Sequence, residues 1–367
     1  MKKIAWLLIL LSCMSFCLFA CTNSQQAEKN TEANAADAAL EAADAETPAA
    51  NTSEAELPFA GRSLNVVATS EKYSELFALF TAETGANVEF LSMSSGEVLS
   101  RIQAEGKAMA DLWFGGGLDA FITAKAEGIL EPFEPQGAAE IDPKFKDPEG
   151  YWIAKGITVV GFLANNQILA EKNLPVPQSW AELADPKYAD EVIMSTPAVS
   201  GTMFAAVKGV LDLLGEEAGW AYFEKLDQNI PFYGKRGKDP QEKTVAGEFA
   251  IGIIPADKSA FDAAQEHDLT VVYPSDGIPW VPEGVAVFKD APGADIAKAF
   301  IDFMLRDEIQ EELARLDGKD GHQMIKPGIK GFDLGLDPAK LIAEKLPEFG
   351  SKRAEILERW AELTGEE

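Results

Sequence analysis

From Leu57 onward, short apolar runs alternate with longer amphipathic stretches along the chain. The runs at residues 64–68, 87–91 and 111–114 have the length of buried strands, and the apolar side chains after each run recur at helical spacing. Strands that alternate with helices are typical of a parallel, doubly wound sheet. The pattern therefore predicts an α/β body that begins near residue 58.

A second block of the same kind fills the middle and the end of the chain. Strand-like apolar runs occur at residues 193–196, 249–254, 270–273 and 285–288, and two long helical stretches close the chain. A typical domain has roughly 100–200 residues, so the body corresponds to two domains or lobes. We therefore predict two doubly wound α/β lobes.

The first twenty residues have the composition of an export signal. Two lysines precede an apolar run from Ile4 to Phe19, and the small residue Ala20 stands before Cys21. A basic start, a short apolar core and a small residue before the cut characterise secretory signal peptides. The segment Leu18-Phe19-Ala20-Cys21 resembles the bacterial lipobox, whose cysteine is lipidated and becomes the new N-terminus. We predict a lipoprotein signal peptide over residues 1–20 and lipidation of Cys21, with an uncleaved membrane anchor as the alternative.

Residues 21–57 form a predicted tether. They are rich in Ala, Glu, Asp, Asn and Thr and contain no aromatic residue, so they cannot bury enough surface to offset the entropy of ordering. We expect them to be disordered and to hold the body off a membrane, because lipid on Cys21 attaches a chain without a spanning helix. Cys13 and Cys17 lie within the signal peptide, so we expect no disulfide and no cysteine-bound zinc in the body.

Charge and motifs argue against several classes of partner and activity. The formal charge is −28 at pH 7, whereas nucleic acids and anionic lipid surfaces call for clusters of Lys and Arg, so we expect neither partner. The two histidines, His267 and His322, form no His-Glu-x-x-His motif, and the Gly-x-Ser-x-Gly motif of serine hydrolases is absent. We predict no enzymatic activity, no cofactor and no resident metal.

Hydroxyl residues stand at three predicted strand-to-helix junctions. Ligands of doubly wound sheets bind outside the carboxyl ends of strands, where free N–H groups, hydroxyls and helix dipoles form anion sites. A glycine turn after residues 111–114 allows close backbone approach but lacks the Gly-Lys-Ser/Thr of an NTPase phosphate loop. The alternative is that these Ser and Thr residues are ordinary N-caps. The predicted anion site consists of Thr69, Ser70, Ser94, Ser95, Gly116, Gly117, Ser200, Gly201 and Thr202.

Several stretches of the body resemble one family of binding proteins. They are Asp111-Leu112-Trp113-Phe114-Gly115-Gly116-Gly117-Leu118-Asp119 with Ala126-Glu127-Gly128-Ile129-Leu130-Glu131-Pro132-Phe133, Pro177-Gln178-Ser179-Trp180-Ala181-Glu182-Leu183 with Asp185-Pro186-Lys187-Tyr188, and Pro282-Glu283-Gly284-Val285-Ala286. Together with the lipobox and the spacer, they resemble a solute-binding lipoprotein of an ABC importer. The similarity is to type II periplasmic binding proteins of the branch that binds ferric iron, phosphonates and phosphorylated sugars, and it covers about Leu64 to Ile325.

The resemblance implies two lobes joined by a two-crossing hinge, which close on a solute. We place the crossings near Gly156–Leu163 and Thr270–Val281. Lobe 1 then comprises residues 58–160 and 275–367, and lobe 2 comprises residues 161–274. The resemblance also implies an ABC permease as partner and a place on the periplasmic or extracellular face of a bacterial membrane, and we expect a monomer.

The ligand class remains open between a small anion and ferric iron. Ferric members of the branch hold the metal with an adjacent tyrosine pair, but the corresponding place here is Pro255-Ala256-Asp257-Lys258-Ser259, and no two of the six tyrosines adjoin. Iron held through Asp257, Tyr233 or a bound anion is therefore the alternative. We favour a phosphate ester, phosphonate or carboxylate, and a lipid-anchored hydrolase or an adhesion protein is a weaker interpretation.

A cationic segment from Tyr233 to Pro240 completes the predicted site. Arg236 or Lys235 is predicted to neutralise the ligand, since guanidinium groups bind phosphate and carboxylate in bidentate fashion, and a solvated loop is the equal alternative. Asp257 or Tyr233 is predicted to contact the rest of the ligand. Trp280, near the hinge, either stacks on the ligand or, by preference, packs the hinge.

Overall fold

The computed structural model describes residues 57–365. The predicted signal peptide, the lipidated Cys21 and the tether before Leu57 lie outside the described residues. Between residues 57 and 365, no helix combines the length and the apolar character needed to cross a bilayer.

Helices and strands alternate along the described part of the chain. The strands are β1 (Ser63–Ala68), β2 (Asn87–Ser92), β3 (Leu112–Gly117), β4 (Leu130–Glu131), β5 (Ile153–Asn165), β6 (Val192–Ile193), β7 (Ile251–Pro255), β8 (Leu269–Val272) and β9 (Trp280–Phe288). The helices are α1 (Ser74–Thr84), α2 (Ser95–Glu105), α3 (Leu118–Ala126), α4 (Asn166–Glu171), α5 (Trp180–Leu183), α6 (Gly201–Leu214), α7 (Glu216–Asp227), α8 (Asp239–Val245), α9 (Lys258–Glu266), α10 (Ala294–Met304), α11 (Asp307–Asp317), α12 (Glu348–Ser351) and α13 (Arg353–Thr364). Short 3-10 helices occupy Glu71–Tyr73, Ala138–Glu140, Pro143–Phe145, Pro186–Tyr188, Gly321–Gln323 and Pro338–Lys340.

The strands form a mixed sheet. Their order is β2-β1-β3-β9-β5-β7-β6, with β4 also paired to β9 and β8 also paired to β5. β1 is parallel to β2 and β3, and β6 is parallel to β7, whereas β5 and β9 run antiparallel to their partners. The predicted α/β class is confirmed. The predicted parallel pairing holds for β1 with β2 and β3 and for β6 with β7, but the sheet as a whole is mixed, because β9 returns between β3 and β5 in the opposite direction.

Strand β5 connects the two ends of the sheet. All thirteen of its residues are buried. Residues 153–159 pair with β9, and residues 160–165 pair with β7 and β8. The first predicted hinge crossing, 156–163, falls inside this strand, which the sequence pattern did not delimit because Lys155 and Gly156 interrupt the apolar run. The division into two lobes stays a prediction.

Helices α1 and α10 cover one face of the sheet through an aromatic cluster. Phe77 lies 5.9 Å from Phe114 of β3 and 5.6 Å from Phe300, measured between ring centroids. Phe80 lies 5.1 Å from Phe300 and 5.3 Å from Phe303, both in edge-to-face geometry. Such pairs contribute about 0.5–1.5 kcal/mol each beyond the area they bury. This packing fixes the end of β3, where the glycine turn begins.

One boundary differs from the sequence prediction. Strand β9 begins at Trp280 rather than at residue 285, because Pro282 and Glu283 break the apolar pattern although both lie within the strand. Two long helices, α11 and α13, lie at the chain end as predicted, with an irregular stretch over residues 318–347 and the short α12 between them. The polar and proline-containing composition of that stretch prevents a continuous helix.

Candidate functional site

Hydroxyl residues cap the helices at the three predicted junctions. Ser94 Oγ accepts a hydrogen bond from the N–H of Glu97 at the start of α2, and Ser200 Oγ accepts one from the N–H of Met203 at the start of α6. Ser70 caps the short helix Glu71–Tyr73 in the same way. The N-cap alternative therefore accounts for part of the pattern. It leaves the first N–H groups of α2 and α6, at residues 95–96 and 201–202, without acceptors inside their helices.

The glycine turn brings two of these junctions into contact. A β-carbon on Gly116 would lie 2.6 Å from the Cβ atom of Ser95, and one on Gly115 would lie 2.7 Å from the Oγ1 atom of Thr69. Both glycines have φ in the left-handed region, at 88° for Gly115 and 111° for Gly116, which other residues rarely adopt. Only glycine permits this close approach of β3 to the residues that follow β1 and β2.

The start of α6 meets the same turn from the other side. A β-carbon on Gly201 would lie 2.8 Å from both the Cα atom of Gly117 and the Oγ atom of Ser95. Helices α2, α3 and α6 therefore begin next to one another, and each helix start carries a partial positive charge of about half a proton. We call the residues that meet here the helix-start site: Thr69, Ser95, Gly115, Gly116, Gly117, Ser200 and Gly201. Ser70 and Thr202 are half-buried beside it.

The cationic segment passes beside the start of α6. A β-carbon on Gly237 would lie 3.5 Å from Ser200 Oγ. The N–H groups of Lys235 and Arg236 donate to the Asp239 carboxylate at 2.7 and 2.9 Å, which fixes the loop. The side chains of both residues are exposed. The structure thus holds the backbone of this segment near the helix-start site and leaves the cationic groups at the surface.

Two other predicted residues have partners elsewhere. The Tyr233 hydroxyl donates to Asp227 at 2.8 Å, and its ring lies 5.3 Å from that of Trp360 in α13. Asp257 caps α9 and accepts from the N–H of Ser259 at 2.9 Å. In residues 57–365, no group of three or more His, Cys, Asp or Glu side chains is arranged to hold a metal ion. The two side chains of the ferric alternative are thus each hydrogen-bonded to a neighbouring residue.

Trp280 packs the predicted hinge region. Its side chain is buried, and its indole N–H donates to the backbone carbonyl of Ile342 at 2.8 Å. Its ring lies 6.3 Å from that of Phe145. These contacts favour the packing interpretation over stacking on a ligand.

A buried group of charged residues, which the sequence analysis did not identify, adjoins the helix-start site. Lys155 Nζ forms ion pairs with the carboxylates of Asp317 and Glu283. Lys72 pairs with Asp317 at 3.0 Å, and Lys319 pairs with Glu283 at 3.1 Å. We call these five residues the lysine cluster. A β-carbon on Gly115 would lie 3.2 Å from Lys155 Cε, so the cluster touches the glycine turn.

The cluster stays ionised because its members stabilise one another's charges. Burial by itself would raise the pKa of Glu283, but the charges of Lys155 and Lys319 outweigh it and lower that pKa to about 2. Burial would likewise lower the pKa of Lys155, which Asp317 and Glu283 raise well above its usual value. The pKa of Asp317 is held below its usual range by Lys155 and Lys72 despite burial. Three lysines against two carboxylates leave one positive charge in excess.

A sequence signal for this cluster existed. Lys155 is the lone charged residue in the apolar strand β5, and Glu283 is the lone charged residue in β9. Charged residues that are fully buried are almost always paired, so each of them predicts a partner. Asp317, by contrast, is the last residue of α11, and Lys319 follows in a polar stretch, where charge is unremarkable.

Comparison with known proteins places the chain among binding proteins. A family model described as "Bacterial extracellular solute-binding protein" matches residues 109–320. An uncharacterized protein of Haemophilus influenzae is 28% identical over 293 residues, which make up 77% of this chain and 84% of that protein. The phosphoglycerate transport regulatory protein PgtC of Salmonella typhimurium is 30% identical over 176 residues, or 48% of this chain and 43% of PgtC.

A solved structure matches nearly the whole described body. The periplasmic binding protein AfuA from Actinobacillus pleuropneumoniae, with exogenous fructose-6-phosphate bound, superposes with a TM-score of 0.77 at 29% identity. The match covers 83% of this chain and 99% of that chain. Other relatives are named as iron-uptake and 2-aminoethylphosphonate-binding proteins.

Proposed function

The chain belongs to the family of bacterial extracellular solute-binding proteins, with the type II periplasmic binding protein fold, and we propose that it captures a small oxyanion at the helix-start site. As a solute-binding protein of an ABC transporter, it delivers a small molecule to a permease outside the cytoplasm. The proposed solute is a phosphate ester, a phosphonate or a carboxylate. The proposed role is capture and delivery without catalysis.

The meeting of two helix starts is the observation that carries this proposal. The N–H groups of residues 95–96 and 201–202, which have no acceptors inside their helices, and the hydroxyl of Thr69 lie around one glycine turn. Oxyanions are bound by such groups because several donors and the positive helix ends act on the same few oxygens. The lysine cluster adds positive charge behind the turn. The arrangement suits an anion and disfavours a bare cation.

The relatives support the same ligand class. AfuA was solved with fructose-6-phosphate, and PgtC is named for phosphoglycerate transport. Both names concern phosphorylated small molecules. Ferric iron is less well supported, since Tyr233 and Asp257 are engaged elsewhere in the fold.

Hinge closure is the proposed mode of capture. Strand β5 runs through both ends of the sheet, so bending near residues 159–160 would move α6 against α2 and α3. The helix-start site is complete only when α6 touches the glycine turn. Lipid at Cys21 and the tether would hold the body near the permease.

A thermal-shift screen of the purified protein tests the proposal. We expect phosphate esters or phosphonates to raise the melting temperature by several degrees, because a ligand at about 100 times its Kd adds roughly 2.7 kcal/mol to the free energy of unfolding. Carboxylates and Fe³⁺, with and without citrate, are screened in parallel. A rise with Fe³⁺ alone would contradict the oxyanion proposal. Asp257→Asn would then be the first variant to test for loss of that rise.

A further inference from the structure

The lysine cluster borders the helix-start site through a short chain of contacts. Gly115 stands between them: its β-carbon position lies 3.2 Å from Lys155 Cε and 2.7 Å from Thr69 Oγ1. Lys72 follows Ser70 by two residues and belongs to the 3-10 helix that Ser70 caps. An anion at the helix-start site would therefore have the ammonium groups of the cluster as near neighbours.

The charges at this place add up to about two. Lys72, Lys155 and Lys319 exceed the two carboxylates of the cluster by one charge. The starts of α2, α3 and α6 add roughly half a charge each, and the Glu97 carboxylate in the first turn of α2 offsets part of it, whereas the Asp119 carboxylate of α3 is paired with Arg353. The Asp320 carboxylate is not part of this count, because its hydrogen-bond partners are the N–H groups of residues 322 and 334 and the His322 ring, none of which belongs to the cluster. A ligand with two negative charges would be balanced here, whereas one with a single charge would leave positive charge uncompensated.

Burial strengthens the effect of the excess positive charge of the lysine cluster on a neighbouring anion. The side chains of Lys155, Lys319 and Asp317 are at most 5% exposed. Charges in such surroundings are screened much less than charges at a protein surface, so the excess acts strongly on a neighbouring anion. A solvated lysine at the rim of a cleft would give little preference between one and two negative charges.

We propose that the lysine cluster makes this receptor selective for dianionic solutes, of which phosphate monoesters are the main class, over monoanionic esters of the same shape. The inference rests on the proposed capture of an oxyanion at the helix-start site. Lys72 is the lysine whose removal would balance the charges of the cluster, because Lys155 and Lys319 would then face the two carboxylates.

Lys72 is also the member that can be changed without breaking the cluster. Its side chain is 36% exposed. In its absence Asp317 still pairs with Lys155 and still accepts a hydrogen bond from the Tyr73 hydroxyl at 2.7 Å. Lys72→Met therefore removes the excess charge while every buried charge keeps a partner.

The test compares phosphate and sulfate esters, which share a shape and differ by one charge at pH 8, since the second pKa of a phosphate ester is about 6. Dissociation constants are measured for glucose 6-phosphate and glucose 6-sulfate, and for methyl phosphate and methyl sulfate as a sugar-free pair. One extra charge near the cluster is expected to favour the phosphate ester by at least about tenfold. Lys72→Met should lower that ratio at least about threefold, and Lys72→Arg should preserve it.

Lys298→Met is the matched control. Like Lys72, Lys298 is a partly exposed lysine in an ion pair, with 31% of its side chain exposed, but its partner is Glu131 of β4, which is not part of the lysine cluster. This variant should leave the ratio unchanged. Equal binding of phosphate and sulfate esters, or a ratio that Lys72→Met does not change, would overturn the charge selectivity and leave oxyanion capture standing. Failure of all four esters to bind would overturn the selectivity for phosphate monoesters, and oxyanion capture itself would be overturned if no phosphonate or carboxylate raised the melting temperature either.

Discussion

Two adjacent serines at the start of α2 show how position decides the role of a residue. Ser94 is the N-cap: its hydroxyl accepts from the Glu97 N–H, and the Glu97 carboxylate accepts in return from the Ser94 N–H and hydroxyl. Ser95 is the first residue inside the helix, is 3% exposed and faces the glycine turn. The first serine stabilises the helix, and the second is the one that we propose contacts the ligand.

Substitution of these serines should therefore separate stability from binding. We expect Ser95→Ala, and likewise Thr202→Ala at the start of α6, to weaken binding of the solute found in the thermal-shift screen, since each removes a hydroxyl donor. Neither hydroxyl caps a helix, so each variant should lose less free energy of unfolding than Ser94→Ala does. Calorimetric titration and urea unfolding measure the two quantities.

Ser94→Ala is the matched control for that pair. It should lower the free energy of unfolding by about 1 kcal/mol through loss of the cap. Its effect on affinity should be smaller than that of Ser95→Ala. Unchanged affinity in both Ser95→Ala and Thr202→Ala would show that the helix-start site is not where the solute binds.

At the scale of elements, periodicity predicted the units around β1, β2 and β3 well, because each strand there is a short apolar run followed by an amphipathic helix. Periodicity failed at β5 and at the start of β9. Both strands contain a buried charge, at Lys155 and at Glu283, whose partner lies far away in sequence. A pattern rule that assigns charged positions to the surface cannot anticipate a pair that forms only in the fold.

The candidate site shows the same limit. Thr69, Ser95 and Gly201 could be singled out because helix starts after strands lie at one edge of a sheet. The fates of Tyr233 and Asp257 could not, since a tyrosine bonded to Asp227 and an aspartate used as an N-cap have no distinctive local pattern. Local geometry is encoded locally, whereas the choice of a partner depends on the whole fold.

The C-terminal helices connect α3 with α6. Arg353 Nε in α13 donates to the buried Asp119 carboxylate of α3 at 2.8 Å, and Phe349 of α12 packs edge-to-face on Phe204 of α6 at 5.9 Å. The predicted lobe boundaries assign α3 to lobe 1 and α6 to lobe 2. These helices therefore touch both of the elements that a hinge motion would separate.

We expect Arg353→Met to lower the free energy of unfolding by about 1–3 kcal/mol, because it leaves Asp119 buried without its cationic partner. The pKa of Asp119 is already raised by burial, so protonation of this carboxyl limits the loss. Urea unfolding at pH 7 measures the change.

Asp119→Asn is the companion variant, and the double variant completes a cycle. If the two residues act as a pair, the double variant should lose less stability than the sum of the single variants. Additive losses would mean that Arg353 stabilises the chain through other contacts.

For the molecule as a whole, the net charge is strongly negative, whereas the charge near the helix-start site is positive. The chain has a formal charge of −28, yet the lysine cluster beside the helix-start site has one positive charge in excess. A buried charge is screened less than a surface charge, so a locally positive site is compatible with an acidic exterior. An acidic surface also discourages adhesion to nucleic acid and to anionic lipid, whereas the helix-start site is the place where we propose that an anion binds.

The same cluster should make stability depend on acid. The pKa of Glu283 is lowered from 4.5 to about 2 in the folded chain, and that of Asp317 is lowered as well. A carboxyl group with a lowered pKa contributes stability that is fully present above its unfolded pKa and is lost as the pH falls through its folded pKa. The free energy of unfolding should therefore fall between about pH 4.5 and pH 2, and Glu283 alone accounts for up to about 3 kcal/mol of that fall.

In Glu283→Gln, which has no charge to lose, urea unfolding between pH 5 and pH 2.5 should show a shallower decline than in the parent, although the variant is less stable at pH 7. Equal slopes in the two proteins would mean that Glu283 is not ionised within the cluster, and the count of one excess positive charge would then be wrong.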